Sequence, residues 1–371
     1  MALSPHRLVQ VPPGVQCFVG AEARRRRRIE ETVVSVFEGW DYEEIIPPLF
    51  DYADVFASPD LVARTYSFVG RDGSLLALRP DFTSLLAKIA AGRLAHRPPP
   101  MRLYYSGEVL RYEPPRAGAQ SELFQMGLEH LGGAPTRADA EILAIAAECL
   151  DAVHAQGWVL AIGHVGVFHG LLAGVALGAA VMDRLRERVE AKDGSGTGAV
   201  LRETGIPEAT RAALQDLGAL AGGREVLDEA VRRFAAFPDA LRALEELRAI
   251  VDALVEAGLG DRLAIDLGEV RGLDYYTGLV FRAYAKDLGF EVGGGGRYDT
   301  LLGRFGRPMP AVGFMLGLDR VAALLDRQVV DAPEPEAPAE AVTARGTGPA
   351  LAAARRRRAA GTRVRLGEEP R

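Results

Sequence analysis

Strand-forming sequence in this chain comes in two batches, held apart by a stretch from Val167 to Gly258 whose pattern is helical almost throughout. Before that stretch, residues 74–78, 102–112, 122–131 and 159–162 have the length and residue types of strands. After it come residues 263–267, 280–284 and 290–292. The regular strand–helix alternation that builds a doubly wound parallel sheet is absent. We therefore expect an α+β fold with a largely antiparallel sheet flanked by helices. Residues 1–166 and 259–330 would form its core, with residues 167–258 as a helical insertion between the two halves.

Ile29, Val33, Val34 and Phe37 recur at helical spacing within residues 20–39, beneath a run from Arg24 to Arg28. Such a run reads as a solvated helix face before it reads as a nucleic-acid patch. Pro47 and Pro48 hold residues 41–50 extended. Helical spacing returns over residues 82–92 and 137–156, and again over 317–327. Residues 331–341 (DAPEPEAPAEA) are a Pro/Ala/Glu linker. Residues 342–371 offer one helix and one strand, a remnant too small for a core of its own. Arg355 to Arg358 within it read as a solvated tail.

The formal net charge is −6, so nothing pulls the whole chain toward nucleic acid. With only Cys17 and Cys149, neither a disulfide framework nor a cysteine metal site is expected. No apolar run reaches the ~20 residues that span a bilayer, and the N-terminus has no signal-peptide core. The expectation is a soluble cytoplasmic protein with no membrane partner, no metal and no cofactor. The lysines, at positions 88, 192 and 286, do not sit in a phosphate-cradling loop.

Chemistry concentrates in three segments. In ELFQMGLE (122–129), alternation puts Phe124, Met126 and Leu128 on one face, suited to helices behind the sheet. Gln125, Gly127 and Glu129 fall on the other: an amide, an open position and a carboxylate. In RGLDYYTG (271–278), Tyr276 and Gly278 would share a strand face, with Tyr275 pointing to the opposite one. Arg271 has the planar fork that grips a carboxylate. GGGGRYD (293–299) is expected to be backbone-exposed beside a helix start, where glycines admit a flat ligand. Taken alone, ELFQMGLE reads first as a half-exposed strand with its polar residues in water, and the glycine run, which matches neither the dinucleotide fingerprint nor a P-loop, is weak evidence.

Taken together and in order, they resemble the histidyl-tRNA synthetase family. YEEIIPPLFDYADVF (42–56) resembles motif 1, RPDFT (79–83) the amino-acid loop, and residues 106–132 motif 2. RGLDYYTG is similar to the histidine-specific signature peptide, and GGGGRYDTLL with PAVGFMLGLDRV (310–321) to the second signature and motif 3. The resemblance covers residues 5–327 apart from the helical insert, and implies a class II synthetase-like fold and a pocket for free histidine. Asp81, Thr83 and Gln125 would hold the α-ammonium group, Glu129 and Tyr276 the imidazole, and Arg271 the carboxylate. The family has Glu where this chain has Asp81. Tyr275 belongs to the same signature and is kept among the candidate residues.

For ATP the family would use Arg111, Glu113 and Arg320, all present as a vestigial site. Basic residues expected between Glu113 and Gln125 are replaced by Pro114, Ala119 and Ser121, so charge-assisted binding of a triphosphate or a tRNA end is weakened. The anticodon-binding domain that the family carries, about a hundred residues, is not expected here, and with it most affinity for tRNA. Such a core resembles the regulatory subunits of short-form ATP phosphoribosyltransferase. That resemblance implies a non-catalytic chain, a hetero-oligomer with the small catalytic subunit, histidine feedback, and a homodimer through motif 1. The alternative is a histidine-activating enzyme lacking an anticodon domain.

Overall fold

Alternation of apolar and polar residues dictates the two longest strands, and the chain builds the rest of the sheet on them. The computed structural model describes residues 9–56, 59–112, 120–270, 275–286, 288–328 and 339–368. The first half runs α1 (Gly20–Gly39), β1 (Glu43–Glu44), β2 (Phe50–Tyr52), α2 (Pro59–Val62), β3 (Ser67–Val69), β4 (Leu75–Leu78) and α3 (Thr83–Ala91). It continues through β5 (Met101–Leu110), β6 (Glu122–Leu131), α4 (Pro135–Ala152) and β7 (Trp158–His164). The helical stretch holds α5 (Val165–Leu171), α6 (Ala179–Glu190), α7 (Gly194–Arg202), α8 (Glu208–Leu217), β8 (Ala221–Gly222), α9 (Glu225–Arg233) and α10 (Pro238–Glu256). Then come β9 (Leu263–Asp266), β10 (Leu279–Ala285), β11 (Glu291–Arg297), β12 (Ala311–Gly317) and α11 (Leu318–Arg327).

The main sheet has the order β1-β5-β6-β12-β11-β10-β7-β9-β8. The β1–β5 and β7–β9 pairs are parallel and the remaining pairs antiparallel, as expected of the α+β class. A separate three-stranded sheet, β2-β4-β3, takes residues 50–52 of the segment 42–56, whose residues 43–44 form β1 of the main sheet. One face of the main sheet buries Met126, Leu128, Phe281, Phe314 and Leu316 against α1 and α4, whose Val33, Phe37, Ile142 and Leu143 join the same core. The other face packs Leu103 and Tyr105 against Phe82 and Leu86.

The helical stretch packs onto the sheet: β8 pairs with β9, and buried residues of α5 and α10 belong to the core behind it. One expectation needs correcting: the arginine run is not only solvated. Arg26 donates to Asp319 at 2.6 Å and Arg25 pairs with Asp326, so α1 is tied to α11.

Residues 331–371 form a second compact unit. Within it β13 (Glu340–Val342) and β14 (Val364–Leu366) pair in parallel, joined by α12 (Thr347–Ala359). Residues 340 and 341, expected in the linker, are strand residues. Val342 is buried and Arg357 pairs with Glu340 at 2.9 Å. No residue of α12 is buried, as its uniform Ala/Arg composition implies.

Candidate functional site

The open face of the sheet is assembled by register. Glu129 on β6 lies opposite Leu103 on β5 and Gly313 on β12, and Gly313 lies opposite Gly296 on β11. The next row on that face runs Tyr105, Gly127, Met315, Gly294 and Arg282. Glycines therefore occupy the middle of the face, and side chains from flanking positions lean over them. A Cβ at Gly313 would overlap the Glu129 carboxylate, and one at Gly296 would stand 2.9 Å from the Tyr276 ring. The expectation of a backbone-exposed loop at 293–296 is thus corrected: these residues are a central strand, and their missing side chains form the floor.

Glu129 is 2% exposed. Its Oε1 accepts a hydrogen bond from Thr83 Oγ1 at 2.8 Å, and its Oε2 accepts one from the Tyr298 hydroxyl. Burial pushes its carboxyl up to about 8; the Tyr298 and Thr83 hydrogen bonds oppose the rise, and nearby Asp81 adds to it. Tyr298 stacks on Tyr275 at 5.4 Å, Tyr275 meets Tyr276 edge-on at 5.1 Å, and Phe82 stacks on Tyr105 at 4.1 Å. Thr83, Glu129 and the four tyrosines 105, 275, 276 and 298 line one cavity of about 60 Å³. A buried carboxylate walled by tyrosine faces suits a ring N–H or a cation.

Among the expected residues, Thr83, Glu129, Tyr275 and Tyr276 come together in this wall. Tyr275 does not point away from Tyr276. Residues 275–278 precede β10 rather than extend it, so strand alternation does not govern them. Gln125 is buried on the same face, one row beyond Gly127, and is not part of the wall. Asp81 is also outside it: its carboxylate accepts from the Ser84 N–H at 2.7 Å and from the Ser84 hydroxyl at 3.2 Å, fixing the first turn of α3. Burial raises its pKa, against the Ser84 hydrogen bonds and Arg111. Arg271 and Glu113 lie outside the described residues.

Arg111 Nε donates to the Pro80 carbonyl at 2.6 Å, and burial lowers its pKa. Arg320 Nη1 donates to the Glu291 carbonyl at 3.0 Å and to its carboxylate at 3.2 Å. Both arginines expected for a vestigial ATP site are therefore engaged within the chain. Tyr105 and Tyr298 were missed as site residues. Tyr298 stood beside the quoted glycines, and Tyr105 sits in a strand whose open face is otherwise apolar. Among the described residues no group of three or more His, Cys, Asp or Glu could hold a metal ion, and no helix is long and apolar enough to cross a membrane.

Residues 14–321 match the family model described as histidyl-tRNA synthetase. An ATP phosphoribosyltransferase regulatory subunit from Desulforamulus reducens is 39% identical over 327 residues, covering 88% of this chain and 81% of its own. One from Moorella thermoacetica is 38% identical over 366 residues, covering 98% and 93%. A Bacillus halodurans structure described as an ATP phosphoribosyltransferase regulatory subunit/histidyl-tRNA synthetase superposes with a TM-score of 0.85 at 28% identity, covering 97% of this chain and 92% of that one.

Proposed function

We propose, because this chain belongs to the histidyl-tRNA synthetase family and within it to the ATP phosphoribosyltransferase regulatory subunits, that it works as a non-catalytic partner of a short-form ATP phosphoribosyltransferase catalytic subunit. In that role it serves the first step of histidine biosynthesis and relays feedback from free histidine. The observation that carries the ligand assignment is Glu129, held buried by Thr83 and Tyr298 beside Tyr275 and Tyr276. A carboxyl so placed accepts a ring N–H, and a cationic ring beside it would favour its ionised form. Gln125 and Arg271 complete the proposed set by resemblance.

Feedback requires histidine to bind two states of the assembly unequally. The test is co-purification with the catalytic subunit, followed by phosphoribosyl transfer with and without histidine. Activity that depends on this chain, and histidine inhibition that Glu129→Gln removes, are expected. Transfer indifferent to this chain would overturn the reading.

A second reading, histidine activation, is favoured by the presence of Arg111 and Arg320. Against it, both guanidiniums already have partners in the chain. Histidine-dependent pyrophosphate–ATP exchange by the purified chain decides between them, and only the second reading expects it.

A homodimer through motif 1 is part of the proposal. Its support is an unusual density of exposed apolar side chains on the β2-β4-β3 sheet and its approach: Ile46 at 84%, Val69 at 71%, and Leu49, Phe50, Tyr52, Phe68 and Leu75.

A further inference from the structure

Strand β10 reads Leu-Val-Phe-Arg-Ala-Tyr-Ala, with one guanidinium in an apolar run at the centre of the sheet. A cation there is costly unless charge and hydrogen bonds compensate it. Arg282 stands on the same face as Glu129, opposite Gly294. Its stem crosses that glycine: a Cβ at Gly294 would stand 3.0 Å from Arg282 Cδ, and Gly294 lines the tyrosine cavity. Two carboxylates flank the guanidinium, Glu269 Oε1 at 3.8 Å from Nε and Glu291 Oε1 at 3.8 Å from Nη1. Both distances exceed hydrogen-bond reach. Glu291 is itself bound by Arg320, and the buried Arg282 Nε makes no hydrogen bond among the described residues. The flanking carboxylates thus favour the charge while Nε keeps an unused donor. A buried donor left over in a folded protein needs an explanation.

The spacing supplies one. Glu129 leans over Gly313 on β12, and Arg282 leans over Gly294 on β11. These two glycines are one strand apart and one same-face step apart, roughly 8 Å on the diagonal of a sheet. The two glycines thus floor the stretch of sheet between the Glu129 carboxyl and the Arg282 stem, and a single amino acid laid along it would meet Glu129 at one end and the guanidinium at the other.

We propose that Arg282 holds the carboxylate of the amino acid whose ring meets Glu129, and so makes the site favour ligands with a free carboxylate over those without one. This rests on the histidine-site reading above, and adds a second guanidinium to the one which the family resemblance assigns, Arg271. The planar fork takes a carboxylate through two parallel N–H···O bonds, which a lysine ammonium cannot reproduce.

The test is calorimetric titration of the full chain, alone and with its catalytic partner, using L-histidine and L-histidinol. Histidinol keeps the ring and the amine but replaces the carboxylate with an alcohol. Arg282→Met is expected to weaken histidine about 10- to 100-fold, the range for a charge-assisted pair, while histidinol changes less than about twofold. Arg282→Lys, which keeps charge and bulk should the methionine variant misfold, is expected to weaken histidine alone, by a smaller factor. Equal weakening of both ligands, or no weakening of either, would sink the Arg282 assignment and leave the histidine site standing. If the wild-type chain binds neither ligand in either form, the site reading itself fails and takes this one with it.

Discussion

At the scale of single residues, Glu129 sets the character of the site. Its carboxyl sits at about 8 in the folded chain, against an ordinary 4.5, because burial outweighs the donors from Thr83 and Tyr298. Folding therefore favours the protonated acid. The sign follows from linkage: over the interval between those two values the folded state binds the proton and the unfolded state has lost it, so stability falls as pH rises. The contribution is fully present below the ordinary value, is lost progressively up to about 8, and is flat beyond. One proton over that interval corresponds to about 1.4 kcal/mol per pH unit. Glu129→Gln removes the titrating group and keeps the shape. Urea unfolding at several pH values across the interval is expected to show the wild type losing stability relative to this variant at about that slope. Parallel curves would mean that Glu129 is already ionised in the folded chain.

At the scale of elements, the glycine-floored strands decide what the face can hold. Gly313→Ala would drive a methyl into the Glu129 carboxylate and to within 2.6 Å of the Leu128 carbonyl. Overpacking of this kind costs about 1–3 kcal/mol, and histidine binding is expected to disappear with it. Gly289→Ala, where nothing lies within 4 Å, is the control, expected to fall within about 0.5 kcal/mol of wild type by thermal or urea unfolding. Equal tolerance of both substitutions would show that Glu129 has room to retreat. The same strands mark how far sequence can be read. In β6, apolar Phe124, Met126 and Leu128 alternate with Gln125, Gly127 and Glu129, and both faces are where that alternation predicts. In β11 the four glycines have no side chains to form a pattern, so a buried central strand looks like a loop. Residues 275–278 differ in another way: strand alternation sends the two tyrosines to opposite faces, but β10 begins only at Leu279, and nothing in the sequence marks that start. Arg282 did leave a signal, one cation in an otherwise apolar strand, but it takes β10's neighbours in the sheet to show which ligand group it faces.

At the scale of the whole molecule, an exposed apolar sheet calls for something to cover it. Phe50 and Phe68 meet edge-on at 5.7 Å on the surface of β2-β4-β3, next to outward-facing Val69 and Leu75. Packing inside one chain does not cover these groups. Adjacent exposed apolar residues of this number commonly mark an interface, and a two-fold dimer is the commonest way for one patch to cover itself. The sheet also connects to the ligand site. Arg79 directly follows β4, donates to the Pro47 carbonyl at 2.9 Å and the Glu108 carbonyl at 2.6 Å, and lies over the Phe82 ring at 4.3 Å. Phe82 in turn stacks on Tyr105 of the cavity wall. Pairing of the sheet would thus be felt at the site through a short chain of packed groups, a physical route for coupling. Val69→Asp together with Leu75→Glu is expected to convert a species of twice the monomer mass into the monomer, read by light scattering at micromolar concentration, and to weaken histidine binding by severalfold. A variant that remains dimeric would place the interface elsewhere. One that becomes monomeric with histidine affinity intact would show that the Arg79–Phe82–Tyr105 chain carries no coupling.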